Sequence, residues 1–294
     1  MSLRSGNKPP RWRKIPKGEL HRAEAFLRPR EKFCVAACSR FLRLDETGGH
    51  VWQLPGTDGE IAALLLHARR SLFPVFGKKS DVPGPRFLSR FLGKVHIHAV
   101  QGLREDAELL ENLMQVQGYC AAEQIDYDLM SFNNAPGVSF TQAAQRSGPA
   151  GLTLRPPLPA DEERLFSLQS AYEQEEVLPA QSVFNPAVAR MNFQQLLARE
   201  RILVADLNGT VVGKINTSAK SFSRCQIGGV YVRPDCRGMG IGAKMTAVFA
   251  QGLLAEDQGL SGITLFVKKR NAAAGRVYRK IGFSVLADYR ITYY

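Results

Sequence analysis

Hydrophobic and polar positions follow the clearest pattern in the second half of the chain. Apolar residues at helical spacing predict four helices there, and short alternating runs predict strands between them. The predicted helices are 162–172, 186–200, 242–256 and 272–281, and the predicted strands are 152–155, 202–205, 211–217, 226–232, 263–267 and two strands in 283–294 on either side of Asp288. The order β α α β β β α β α β β indicates a mixed α+β domain.

Turn and cap residues support several of these boundaries. Asn185–Pro186 is typical of a helix N-cap followed by the first helical turn. Asn271 and Gly282 predict the start and the end of the last helix. Asn208–Gly209 lies between two apolar runs, which predicts a tight β-hairpin.

The first half has a less regular pattern. It predicts strands at 33–41, 51–54, 95–100 and 125–132, one long strand or two over 61–76, a loop over 77–94 and a helix over 103–117. Pro and Gly accumulate in 133–137 and 147–161, where they disfavour continuous helix. We therefore expect two domains, 1–150 and 151–294.

Length and composition agree with a globular protein. A chain of 294 residues suits two domains or one large one, and 45% apolar with 22% charged residues is close to the average for soluble domains. The longest clean apolar run, Ile61–Leu66, is much shorter than the ~20 residues of a membrane-spanning helix. No apolar stretch follows the basic N-terminus as it would in a signal peptide. We expect a cytoplasmic protein without a membrane segment.

Cysteine and histidine usage predicts no disulfide and no metal. The five cysteines are an odd number without a C-x-x-C pair, so we expect reduced thiols, with Cys34 and Cys38 serving as packing residues. His96 and His98 share one face of a predicted strand and could ligate a metal. Because no third ligand accompanies them at a suggestive spacing, a surface or core pair is the favoured interpretation.

The charge of the chain favours anionic partners. The net charge of +12 is distributed as +12 in residues 1–104, −6 in 105–150 and +6 in 151–294. Phosphates, nucleic acid or a membrane surface would suit this balance, while a merely soluble basic surface is the alternative. Trp12, between Arg11 and the pair Arg13–Lys14, could stack on a base beside bound phosphates.

Residues 230–243 carry the clearest candidate chemistry, because a strand leads through a glycine-rich turn into a helix. Gly238, Gly240 and Gly242 allow an anion to approach the backbone closely. The amides at the start of the following helix stabilise negative charge, and Arg237 adds a positive side chain. This arrangement predicts a pyrophosphate cradle.

Three phosphate-containing ligands compete for this cradle. A P-loop needs Gly-Lys followed by Ser or Thr, whereas Ala243 follows Gly242 here. A dinucleotide fingerprint needs G-x-G-x-x-G at the start of a domain, whereas G-x-G-x-G occurs late in this one, after Pro234. Coenzyme A is the remaining candidate.

The motif Arg237-x-x-Gly240-x-Gly242 resembles the R/Q-x-x-G-x-G/A signature of the GNAT superfamily of N-acetyltransferases. Downstream, Val267, Asn271, Ala272–Ala274, Tyr278 and Ile281–Phe283 are similar to the V…N…A…Y…GF segment of that superfamily. The resemblance covers 151–294. It implies a GNAT fold with a mixed central sheet flanked by helices, and transfer of an acetyl group from acetyl-CoA to a primary amine by direct attack.

The resemblance also implies roles for individual residues. Backbone groups of 230–232 would pair with the pantetheine arm, and the Val230 amide, aimed by a bulge at Gly228–Gly229, would donate to the thioester carbonyl. Tyr278 would protonate the departing thiolate. The cofactor-binding residues that follow are Val230, Tyr231, Val232, Arg237, Gly238, Met239, Gly240, Ile241, Gly242, Ala243 and Asn271.

The general base is restricted by composition. All five histidines lie before residue 100, so the base in the second half is a carboxylate, a tyrosine or a water chain. Glu173, Glu175 and Glu176 occupy the position at which the superfamily places its acceptor-side loop. Neighbouring carboxylates can raise one another's pKa toward neutral pH. A solvated helix end is the alternative interpretation of these acids.

The first half is expected to be a degenerate GNAT-like domain without a cofactor site, as in a tandem GNAT protein. Val95–Val100 would correspond to the cofactor-binding strand, but only one glycine, Gly102, follows it, and acids come next. A different α+β domain is the alternative. We expect one coenzyme A per chain and no metal.

The alternative function is a catalytically silent acyl-CoA-binding or nucleic-acid-binding protein.

Overall fold

The computed structural model describes residues 11–56, 59–134, 140, 148–180 and 182–294. Its internal contacts divide the chain into two compact units, one formed by residues up to 126 together with 289–294 and the other by 127–288. The chain therefore passes from one unit to the other within two strands, Glu123–Asn133 and Ser284–Tyr293. The boundary predicted near residue 150 lies inside the second unit.

The first unit packs short helices against a mixed sheet. The helices are α1 (Leu20–Leu27), α2 (Val35–Leu42), α3 (Leu44–Thr47), α4 (Pro85–Leu92) and α5 (Arg104–Val116), and the strands are β1 (Arg13–Lys14), β2 (His50–Pro55), β3 (Ile61–Ala68), β4 (Ser71–Phe76), β5 (Ala99–Leu103) and the start of β6 (Glu123–Asn133). The strand order is β1-β2-β3-β4-β5 followed by Tyr289–Tyr293. All neighbouring pairs are antiparallel except β4 and β5.

In the first unit, two segments that were predicted as a strand and as a loop contain helices. Residues 33–41, predicted as a strand, belong to a 3₁₀ helix (Arg28–Phe33) and to α2, because Val35, Cys38 and Phe41 are spaced by three and are all buried. The predicted loop 77–94 contains α4, which begins at Pro85 and buries Leu88 and Phe91. The sequence predicted one long strand or two over 61–76, and the structure contains two.

The second unit follows the predicted order of elements closely. Its helices are α6 (Glu162–Tyr172), α7 (Pro186–Arg199), α8 (Ile241–Glu256) and α9 (Ala272–Ile281), and its strands are the rest of β6, β7 (Leu152–Arg155), β8 (Ile202–Leu207), β9 (Thr210–Lys220), β10 (Arg224–Val232), β11 (Gly262–Lys268) and the start of β12 (Ser284–Tyr293). The strand order is β6-β11-β10-β9-β8-β7, and only β10 and β11 are parallel. The two strands predicted around Asp288 are one continuous strand.

Local signals in the second unit act as predicted. Asn185 Oδ1 accepts hydrogen bonds from the amides of Ala187 and Val188, and Asn271 Oδ1 accepts one from Ala274, so both residues cap their helices. Gly282 ends α9 with a φ of +113°. Positive φ values at Asn208 and Gly209 make the tight turn between β8 and β9.

The five cysteines are free thiols, and only Cys120 is exposed. Cys34 and Cys38 lie 3.6 Å apart between their sulfur atoms and are buried at the start of α2, which fits their predicted packing role. Within the described part of the chain, no helix is long and apolar enough to cross a membrane. The same residues contain no cluster of three or more His, Cys, Asp or Glu side chains able to hold a metal ion.

Candidate active site

The site begins where two parallel strands part. β10 and β11 pair only over Arg224–Gln226 and Gly262–Thr264, although β10 continues to Val232 and β11 to Lys268. A gap therefore opens between the carboxyl ends of these strands. Ligands of open sheets with parallel strands bind at such strand ends.

One side of this gap is shaped by a β-bulge. Gly228 pairs with Asn216 and Tyr231 with Lys214, so Gly229 and Val230 both lie opposite a single residue of β9. Gly229 has a φ of +59°, and a Cβ atom there would overlap Asn216 Oδ1. The bulge expected at Gly228–Gly229 is therefore present, and its geometry requires glycine.

The bulge is held by a buried lysine that sequence reasoning missed. The Lys214 side chain is only 1% exposed, and its Nζ donates hydrogen bonds to Asn216 Oδ1 at 2.9 Å and to the Gly229 carbonyl oxygen at 3.0 Å. Burial lowers the pKa of Lys214 to about 7, against the opposing influence of the Glu173 carboxylate. A lysine inside the apolar run 211–217 was a visible signal, because charged residues are seldom fully buried without a partner.

The glycine-rich loop links β10 to α8. A short 3₁₀ turn, Pro234–Cys236, precedes it, and Gly238 and Gly240 have φ values of +81° and +80°. Gly240 is the N-cap residue of α8, and no side chain in the described structure caps this helix. The first amides of α8 thus have no side-chain acceptor, as an anion-binding helix N-terminus requires.

Arg237 joins this loop to the acidic segment after α6. Its guanidinium donates to both carboxylate oxygens of Glu175 at 2.9 and 2.8 Å, and its Nε donates to the Val232 carbonyl at 3.0 Å. The bidentate contact with Arg237 holds the pKa of Glu175 below its usual range. The contact also fixes the direction of the arginine beside the loop.

The three predicted acids lie in one turn of π-helix, Glu173–Val177, that continues α6. Glu173 accepts a hydrogen bond from Gln169 at 2.8 Å, so its partner is a neutral amide. Glu176 accepts one from Asn271 Nδ2 at 3.2 Å and lies 3.5 Å from the ammonium of Lys268, whose side chain is 2% exposed. A π-turn is frequent at functional sites, and here it directs neighbouring acids to different partners.

Tyr278 lies on α9 and is 8% exposed. Burial raises its pKa above the usual range for tyrosine, and Tyr172 and the Glu176 carboxylate raise it further. The Tyr278 hydroxyl therefore keeps its proton at neutral pH. Its ring packs edge-on against Phe283, 6.3 Å between centroids, which fixes its orientation.

The structure brings most of the predicted site residues together. Glu175 contacts Arg237, Glu176 contacts Asn271, and Glu176 is close enough to Tyr278 to influence its pKa. The predicted cofactor-binding stretches 230–232 and 238–243 lie at the end of β10 and at the start of α8. Their roles in binding and catalysis remain predictions. Sequence reasoning missed Lys214, Asn216, Lys268 and Tyr172.

In the first unit, two parallel strands also separate toward their carboxyl ends, as β10 and β11 do in the second. β4 and β5 pair only at Ser71–Leu72 with Ala99–Val100, so β4 is the counterpart of β10. The counterpart predicted at 95–100 was wrong, because regular strand begins only at Ala99 and belongs to the second strand of the pair. A cavity of about 210 Å³ lies beside the two strands, lined by Arg30, Phe33, Cys34, Ala37, Phe73–Phe76, Gln101–Leu103, Asp106 and Tyr289.

Groups of the same unit occupy the end of β4 beside this cavity. Pro74 has no amide hydrogen, and its carbonyl oxygen lies only 3.2 Å from the position that a Cβ atom on Gly102 would occupy. The amide of Phe76 donates to Asp106 Oδ2 at 3.1 Å. The amides at the end of β4 are thus missing or occupied, in contrast to the bulged end of β10.

Trp12 does not present a free ring for base stacking. The half-buried indole stacks on Phe87, with 5.8 Å between centroids and an angle of 28°, and meets Phe76 edge-on at 6.1 Å. It therefore packs within the first unit. The nucleic-acid hypothesis therefore loses Trp12 as a stacking residue and keeps the basic charge of residues 1–104.

Comparison with known proteins gives one family match in sequence. The model of the acetyltransferase (GNAT) family matches residues 164–283, from α6 to the residue before β12. No curated protein matches this chain in sequence.

Several solved structures share the fold over almost the whole chain. A Drosophila protein has a TM-score of 0.66 at 11% identity, covering 97% of this chain and 99% of its own. A tandem GNAT protein from the clavulanic acid biosynthesis pathway has a TM-score of 0.59 at 12% identity, covering 96% and 97%. A GCN5-related N-acetyltransferase from Kribbella flavida has a TM-score of 0.56 at 16% identity, covering 88% and 94%. The predicted tandem fold is confirmed.

Proposed function

We propose, given that residues 164–283 form an acetyltransferase domain of the GNAT family, that the second unit binds acetyl-CoA and transfers its acetyl group to a primary amine. One observation carries the proposal. The gap between β10 and β11 lies directly before a loop with two left-handed glycines and a helix N-terminus without a side-chain cap. These are the groups needed for an extended thiol arm with a pyrophosphate at one end.

The pyrophosphate would bind to the amides of 238–243 and to Arg237. Gly238 and Gly240 give the loop its left-handed bends, but Gly242 has ordinary backbone geometry. A Cβ atom on Gly242 would come no closer than 3.8 Å to the nearest protein atom, so the chain itself has room for a side chain there. Close approach of a bound anion would explain this glycine, and Arg237 would be shared between that anion and Glu175.

In the proposed reaction, the amine nitrogen bonds to the thioester carbonyl carbon and the carbon–sulfur bond breaks. The nitrogen loses one proton and the departing thiolate gains one, so the products are an amide and free coenzyme A. The Val230 amide would stabilise the negative carbonyl oxygen. Tyr278, protonated and adjacent to Glu176, would protonate the sulfur. Glu173 or Glu176 would accept the proton of the amine. Glu175 is the least suitable base, because Arg237 lowers its pKa.

The cofactor assignment can be tested with a matched pair of glycine variants. Gly240→Glu places bulk and negative charge at the pyrophosphate loop and should abolish acetyl-CoA binding in calorimetry. Gly252→Glu makes the same change near the C-terminal end of α8, where a Cβ atom would meet nothing within 4 Å, and should bind like the parent. Binding by Gly240→Glu at parental affinity, with the loop folded, would place the cradle elsewhere.

Turnover distinguishes an enzyme from a silent binding protein. Release of free coenzyme A thiol should be measured with acetyl-CoA and a panel of primary amines, with a filter-binding measurement of nucleic acid at two salt concentrations in parallel. An amine-dependent thiol release supports the transferase. Tight acetyl-CoA binding without turnover for any amine supports the silent acyl-CoA-binding alternative, and salt-sensitive retention of nucleic acid supports the nucleic-acid alternative.

A further inference from the structure

We propose that Lys214 is a positioning residue for acetyl transfer, which holds the Gly229–Val230 peptide so that the Val230 N–H faces the thioester carbonyl. The inference rests on the proposed acetyl-CoA reaction. It adds to that reaction a side chain from β9, a strand that contributes none of the catalytic or cofactor-binding groups considered above.

The direction of the Val230 amide follows from the contact that Lys214 makes. The C=O and the N–H of one trans peptide point in opposite directions, and no cis peptide occurs in the described chain. Lys214 Nζ lies 3.0 Å from the Gly229 carbonyl oxygen, so the Val230 N–H points away from Lys214. Lys214 comes from β9, on one side of β10, whereas the gap lies on the other side, toward β11. The proposal therefore places this N–H on the side of the gap.

The bulge needs such a contact to keep one orientation. Gly228 and Gly229 precede Val230, and two consecutive glycines leave the backbone with more freedom than any other pair. Because Gly229 and Val230 lie opposite a single residue of β9, regular ladder pairing does not fix both of them. A flip of the Gly229–Val230 peptide would exchange the N–H for the carbonyl oxygen and place negative charge where the oxyanion forms.

Stability alone does not explain an amine at this position. Lys214 pairs across the sheet with Val204 and Tyr231, which belong to the same apolar cluster as Leu165 and Phe193. Burying an amine is costly even when it is hydrogen-bonded, and apolar residues often replace buried polar groups without loss of stability. The Tyr172 ring, 5.0 Å from Nζ, and the Glu173 carboxylate complete its surroundings. The hydrogen bonds to Asn216 and to the Gly229 carbonyl are what an apolar residue could not supply, and only the second of them acts on the bulge peptide.

The test compares Lys214→Met, which removes the donor and keeps the length of the side chain, with Lys220→Met on the same strand. Lys220 is exposed and forms an ion pair with Asp257 at the surface, so it is the matched control. Acetyl-CoA labelled with carbon-13 at the thioester carbonyl reports the hydrogen bond directly, because a donor lowers the carbonyl stretching frequency. Affinities for acetyl-CoA and for coenzyme A are measured on the same proteins.

In Lys214→Met we expect the carbonyl frequency of bound acetyl-CoA to return toward its value in water and the preference for acetyl-CoA over coenzyme A to fall. With a reactive amine, kcat should fall by roughly 10²-fold, near the lower end for loss of an oxyanion donor, while KM for acetyl-CoA changes little. Lys220→Met should match the parent in all three measurements. A purely structural role would lower the melting temperature without this separation of kcat from KM.

Two outcomes separate this inference from the function on which it rests. A parent chain that does not bind acetyl-CoA refutes the proposed function itself. An active parent whose Lys214→Met variant keeps the parental carbonyl frequency and kcat refutes only the role of Lys214. If the methionine variant fails to fold, Lys214→Leu, which also lacks a donor, is measured in the same way, and an unchanged frequency and kcat in that folded variant also refutes the role.

Discussion

At the scale of single residues, Tyr278 combines a raised pKa with a fixed position. Burial keeps its hydroxyl protonated, and Tyr172 and the Glu176 carboxylate raise its pKa further. Tyr278→Phe removes one oxygen from a well-packed ring, so packing should be preserved. We expect kcat to fall by ~10² to 10⁴, the usual contribution of a general acid, with acetyl-CoA affinity nearly unchanged. A parental kcat, with chemistry shown to limit turnover, would remove Tyr278 from the mechanism.

Asp106 in the first unit gives a prediction about pH. Burial raises its pKa from 3.8 to about 6, against the hydrogen bond from the Phe76 amide, so the folded state binds the proton more tightly than the unfolded state. The contribution of Asp106 to the free energy of unfolding should therefore be most favourable below pH 4 and should fall as the pH rises from about 4 to 6. The loss amounts to at most about 3 kcal/mol from a shift of about two pKa units.

Asp106→Asn tests this sign, because asparagine can still accept from Phe76 but does not titrate. The variant should melt at a higher temperature than the parent above pH 6, and the difference should shrink toward pH 4. Asp45→Asn, which makes the same exchange at an exposed ion pair with Lys17, is measured alongside as the comparison. A variant that is less stable than the parent at pH 7 would contradict the prediction.

At the scale of elements, the N-cap of α7 should make a measurable contribution to the free energy of unfolding. Asn185 accepts from two amides of the first turn, and replacing such a cap with alanine usually costs about 1 kcal/mol. Asn185→Ala should lower the midpoint of chemical denaturation accordingly. Asn192→Ala makes the same exchange inside the exposed face of α7, where alanine favours helix, and should leave stability equal or higher.

The elements of the second unit could be predicted because their signals are local. Asn185, Asn271 and the Asn208–Gly209 turn each determine a boundary from within a few residues, and the glycine loop identified the candidate cradle. The helix at 35–42 could not be separated from a strand, because a short apolar run suits either one. Lys214 was missed for another reason. The lysine itself was visible in the sequence, but its partner, the Gly229 carbonyl, lies on the neighbouring strand, and no local signal gives the register that brings the two together.

At the scale of the whole molecule, we expect one coenzyme A per chain. Pro74 lacks an amide hydrogen and the Phe76 amide donates to Asp106, so the end of β4 lacks the donors that we propose for β10, and the first unit should not bind the cofactor. Titration of the intact chain with acetyl-CoA in a calorimeter should give a stoichiometry near one. A stoichiometry of two would show that the first unit also holds a cofactor.

The strand pairing also predicts which fragment retains the cofactor site. β11 pairs along its whole length with residues 127–133 of β6, so a fragment of 151–294 exposes the edge of a central strand. A fragment of 127–288, which matches the second unit, should fold and bind acetyl-CoA, whereas 151–294 should aggregate or bind poorly. Equal binding by two soluble fragments would show that β6 is dispensable.

The crossing of the chain between its units has a consequence for biosynthesis. Domains usually fold in the order in which the ribosome releases them, beginning at the N-terminus. Here Tyr289–Tyr293 pairs with β5 and belongs to the first unit, yet it is translated after every residue of the second. The part of the protein that is made first must therefore wait, with one edge of its sheet unpaired, until the last strand leaves the exit tunnel.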